Sequence, residues 1–61
     1  MNQEYSYTTP QAQLVRVAEI ASRWYGRQDK LMDVILEVQK VVPTMAEDVA
    51  AVIAREMGLS Q

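Results

Sequence analysis

Asp29 and Asp33 are the residues of this chain best placed to do chemistry. Four apart on a helix, their carboxylates share a face and could hold a hard cation between them. Asp29 also stands where a helix should begin, and a carboxylate there caps free amides and suits the positive helix end. Capping and a solvated face account for the pair, so no metal ligand is assigned. Other chemistry lacks its residues. The chain has no cysteine and no histidine, which removes the thiolate nucleophile, the imidazole base and the soft metal ligands. Its two glycines lie far apart and build no phosphate loop. The expectation is a non-catalytic chain with no cofactor of its own.

The elements that would position any site are short. The chain has 61 residues, one domain at most, and a domain of that size buries only about 60% of its unfolded surface. No disulfide can staple it, so packing, a partner chain or self-association must supply the difference. The formal net charge is −2, with acidic and basic residues interspersed, which gives no general drive toward nucleic acid or anionic lipid. No apolar run reaches the roughly 20 residues of a membrane span. MNQEYSYTT has neither the basic nor the apolar region of a signal peptide. A soluble cytoplasmic protein is expected.

Hydrophobic periodicity predicts an all-α fold: a three-helix antiparallel bundle over about 10–25, 29–42 and 45–57. Residues 1–8, with Tyr5 and Tyr7, read as a flexible arm before a bundle domain at 9–61. Thr9-Pro10 starts the first helix, Thr9 as its cap. Leu14, Val17, Ala18, Ala21, Trp24 and Tyr25 form the inward stripe, and Gly26 closes the helix. The stretch Leu31 to Val42 reads as the middle rod, with apolar residues at 31, 34, 35, 38, 41 and 42 on one face. Pro43 ends it. Thr44-Met45-Ala46-Glu47 fits a capping box for the third helix. Val49, Ala50, Ile53 and Met57 point inward there, and Gly58 with Leu59 folding back ends it.

Met32 and Leu36 are an apolar pair left over once the core stripe of the middle rod is filled. They are the expected partner-binding residues, together with Arg23 and Arg27 from a basic edge that suits an acidic partner. Two alternatives differ in class. The missing fourth helix leaves an open groove that two copies could fill, giving a homodimer. A helix-turn-helix nucleic-acid binder also has three short helices. Against it, the third helix offers only Arg55 as a basic residue, and its first turn is acidic where phosphates would lie.

The segment LMDVILEVQKVVPTMAEDVAAVIAREMGLS resembles the N-terminal helical region of the thioredoxin-like 2Fe-2S subunit family. That family includes the small flavoprotein-side subunit of NADH:quinone oxidoreductase (complex I) and related subunits of NAD(P)-linked hydrogenases and formate dehydrogenases. Leu31 and Met32 stand for the family's two leucines, Val34 and Ile35 for its apolar pair, and Glu37-Val38-Gln39 for its Glu-Val-Gln triplet. Glu47, Asp48, Ala54, Met57, Gly58, Leu59 and Ser60 match the third helix and its end. Asp33 replaces a frequent proline, Leu36 a polar residue, and Pro43-Thr44 a common Gly-Tyr. The family continues into a thioredoxin-like domain that holds the cluster on four cysteines, and this sequence carries none of them. The resemblance therefore implies a docking or assembly module of a redox complex, with 2Fe-2S cluster and flavin confined to family relatives or partner chains.

Overall fold

The computed structural model describes residues 8–59. The arm at 1–8, apart from Thr8, lies outside them, as do Ser60 and Gln61. Three α-helices follow one another: α1, Gln11–Ser22; α2, Leu31–Gln39, entered through a 3-10 turn at Gln28–Lys30; and α3, Glu47–Met57. The all-α expectation holds, and no strand occurs among the described residues.

α1 stops three residues short of the predicted end. The Ser22 hydroxyl donates to the Glu19 carbonyl at 3.1 Å, an alternative bond that serine offers in the last turn. Beyond it the chain tightens: Trp24 N–H donates to Ala21 O at 3.0 Å and Tyr25 N–H to Ser22 O at 3.3 Å. The helical register is lost there. Trp24 still packs against the core, but Tyr25, expected inside, is 71% exposed. Gly26 takes φ +80°, a conformation that glycine adopts without steric cost.

The core is thin. Val17, Ile20 and Ala21 of α1 meet Val34 and Val38 of α2, Val42 beyond it, and Val49, Val52, Ile53 and Met57 of α3. Six of these ten are valines, so much of the burial comes from small side chains. Ile20 and Val52 are additions to the predicted stripes, whereas Ala50 is exposed. The central position belongs to α1 and not, as the sequence suggested, to the second helix. α1 packs extensively on α3 and also on α2, while α2 and α3 approach each other less closely. No described helix is long and apolar enough to cross a membrane.

Two clamps fix α1 on α3. Before α1, the Thr9 amide donates to Asp48 Oδ2 and the Thr9 hydroxyl to Asp48 Oδ1, both at 2.8 Å. Thr9 is buried and is bonded to the start of α3; it does not cap α1, which has no side-chain cap. After α1, Gly26 N–H donates to Met57 O at 2.9 Å, and the Tyr25 ring lies over Gly58. Start is thus tied to start and end to end, so α1 and α3 run in the same direction.

The predicted caps of the other helices also differ. Asp29 sits inside the 3-10 turn and leaves α2 without a side-chain cap. The capping box does not form: Ala46 is the residue flanking α3, in extended backbone, with no side-chain cap bond. Met45 and Ala46 pack against the core, which draws them out of the first turn and separates Thr44 from it. The glycine stop does form. Gly58 has φ +72°, its N–H donates to Arg55 O at 3.1 Å, and Leu59 N–H donates to Ala54 O at 2.9 Å. This Schellman pairing folds Leu59 back onto the core.

Candidate functional site: an apolar groove between α2 and α3

Because α2 and α3 stand apart on α1, a groove opens between them. Its volume is about 230 Å³. Leu31 and Ile35 line the α2 wall, Ala50 and Ala54 the α3 wall, with the buried Ile53 also in the lining. Met45 and Leu59, which flank the two ends of α3, complete it. Every lining residue is apolar. The α3 wall is slim because its residues are alanines, so another backbone can come close.

The exposed pair adjoins this groove. Met32 is 65% and Leu36 55% exposed. At 3.6 residues per turn, Val34, Val38, Leu31, Ile35, Met32 and Leu36 fall in that angular order over an arc of about 200°. Only Gln39 interrupts it. The arc runs from the core, across the groove wall, to a bare outer ridge. Asp33, Glu37 and Lys40 occupy the remaining side. The ridge is therefore the outer edge of one apolar surface and not a separate patch.

The arginines lie elsewhere. Arg23 and Arg27 are both exposed in the turn after α1 and neither lines the groove. Arg27 is engaged: Nε donates to Asp29 Oδ1 at 3.2 Å and Nη2 to Oδ2 at 3.1 Å. Those hydrogen bonds hold the Asp29 carboxyl below its ordinary value and raise Arg27. The structure thus brings Met32 and Leu36 together beside the groove and leaves the two arginines outside it. Asp48 is also held low, chiefly by the amide and hydroxyl of Thr9. Its bidentate bonding serves the α1–α3 clamp. No family model, curated protein or solved structure matches the chain.

Proposed function

We propose that this chain is a non-catalytic docking module whose α2–α3 face packs against a helical surface of a neighbouring subunit. In this arrangement α2 runs back antiparallel to α1 and α3, completing an up-down-up bundle that is open on one side. The observation that carries the reading is the apolar surface that runs from the groove to Met32 and Leu36, broken only by the neutral Gln39. Exposed apolar surface beside a groove marks an interaction site more often than isolated exposed residues do. Covering the exposed parts of the two ridge side chains is worth about 2–3 kcal/mol.

The family resemblance of residues 31–60 gives the neighbour its class: a subunit of an NADH dehydrogenase, hydrogenase or formate dehydrogenase type complex. Cluster and flavin then belong to the partner chains, and this chain holds the partner in place. A nucleic-acid role is disfavoured because Glu47 and Asp48 occupy the first turn of α3, where a phosphate would meet like charge.

The test is co-purification with a tagged chain, followed by absorbance of flavin and iron–sulfur clusters. Leu36→Asp should leave helicity unchanged and weaken capture at least about tenfold. Capture that survives Leu36→Asp in a folded variant would remove this face. A captured complex with neither chromophore would remove the redox assignment.

A further inference from the structure

Oxidisable sulfur is confined to methionine in this chain, which has four methionines and no cysteine. Met32, Met45 and Met57 lie among the described residues, each in a different setting. Met57 is fully buried in the core. Met45 is half-buried, packed against the core where it helps to line the groove. Met32 is 65% exposed on the ridge, with Leu36 one helical turn further on. We propose that the Met32 thioether is a redox switch for the α2–α3 face: a peroxide oxidises it to the sulfoxide, the ridge turns polar and the docked subunit is released. The inference rests on the docking reading above and adds how that docking is regulated.

The chemistry needs no cofactor. A sulfur lone pair attacks one oxygen of hydrogen peroxide, the S–O bond forms as the O–O bond breaks, and water leaves. Sulfur gives up two electrons and the peroxide takes them. The product carries a polar S–O group where the thioether was apolar. A dithiol-dependent methionine sulfoxide reductase reverses the change: the oxygen departs as water and the dithiol becomes a disulfide.

Exposure selects Met32, because the reagent must reach the sulfur. Burial decides what oxidation then does. A sulfoxide at Met57 would set an unpartnered polar oxygen among the valines of the core and cost the fold. At Met32 the oxygen meets water, so the helices stay as they are and only the surface changes. Of the two large side chains that make the ridge, one then carries a dipole that an apolar partner surface cannot hydrogen-bond. Met32 is therefore the described sulfur at which oxidation alters binding without disturbing the core.

The test treats the isolated full chain with dilute hydrogen peroxide, removes the reagent and repeats the co-purification. Peptide mapping by mass spectrometry should find the sulfoxide at Met32 before Met45 or Met57, with helicity unchanged by circular dichroism. Retention on a phenyl column, an apolar probe that needs no partner, should shorten. Capture should fall about tenfold and return after treatment with a methionine sulfoxide reductase. Met32→Leu keeps the ridge apolar, so its retention and capture should not respond to peroxide. Oxidation of Met57 as fast as Met32 overturns the inference, as does undiminished capture by a chain oxidised at Met32. A Met32→Leu variant that loses capture in peroxide as the unsubstituted chain does also overturns it. An untreated chain that captures nothing removes the docking reading and this switch with it, and that failure is seen before any peroxide is added.

Discussion

Gly26 and Gly58 offer a controlled comparison of two costs that usually arrive together. Both have positive φ, +80° and +72°, so alanine at either position meets the left-handed penalty of about 1–2 kcal/mol. Their surroundings differ. A Cβ on Gly26 meets nothing within 4 Å, whereas on Gly58 it would lie 2.7 Å from Tyr25 Cε2 and 2.9 Å from Cζ. The ring must swing away, and it can, being 71% exposed. Moving it off its preferred rotamer adds about 0.5–1.5 kcal/mol. For a domain of this size each kcal/mol lowers the midpoint by about 4–8 °C. Gly58→Ala should therefore melt roughly 2–12 °C below Gly26→Ala when helicity is followed by circular dichroism. In a Tyr25→Ala background the two glycine substitutions should cost the same. Equal midpoints with the ring present, or an undiminished excess without it, would refute the argument.

Met57→Ala removes a fully buried side chain shared by the core and should destabilise by about 2–5 kcal/mol, read as a collapsed urea midpoint; a loss under about 1 kcal/mol would show that the site repacks. Asp48 and Asp29 both have folded pKa values below the ordinary 3.8, so their contributions are present above that value and fade as pH falls through and below it. Asp48→Asn should accordingly flatten the fall in urea midpoint between neutral pH and pH values below 3.8, and an unchanged slope would deny the Thr9 clamp its part. Arg27→Ala should leave the thermal midpoint where it is, since both members of its ion pair are more than half exposed and solvent screens such pairs; a clear drop would mean the pair fixes the turn before α2.

What the sequence made legible was what local chemistry decides. The left-handed stop at Gly58, the return of Leu59, and the faces through Val34 and Val38 or Val49 and Ile53 all depend on residues within a turn of one another. Ile20 and Val52 each sit three residues past a core valine, so the same spacing rule could have included them. The bare pair Met32 and Leu36 was also legible, because a surplus of apolar residues on one helix can be counted before its neighbours are known. Other features were decided at a distance. Thr9 looked like a cap, but its hydroxyl is claimed by Asp48, 39 residues away. Thr44 and Glu47 had the spacing of a capping box, but packing of Met45 and Ala46 against the core displaced the start of α3. Helical periodicity places Tyr25 inward, but α1 ends at Ser22 and the register does not reach it. The middle position passed to α1 because which helix touches two others depends on pairing, and hydrophobic surplus alone does not specify pairing.

The two clamps bear on how the chain can vary in length. With Thr9 fastened to Asp48 and Gly26 to Met57, the α1–α3 pair is tied at both ends by bonds that involve no residue of α2. Residues 27–46 are then an excursion that leaves one end of the pair and rejoins it at the other. Closing a longer loop costs only about 0.6 kcal/mol per doubling, so extra residues spliced into the stretch around Pro43 and Thr44 would leave the pair intact while reshaping the mouth of the groove. The paired rods fix the frame, and the excursion is where added length would be felt at the groove and nowhere else.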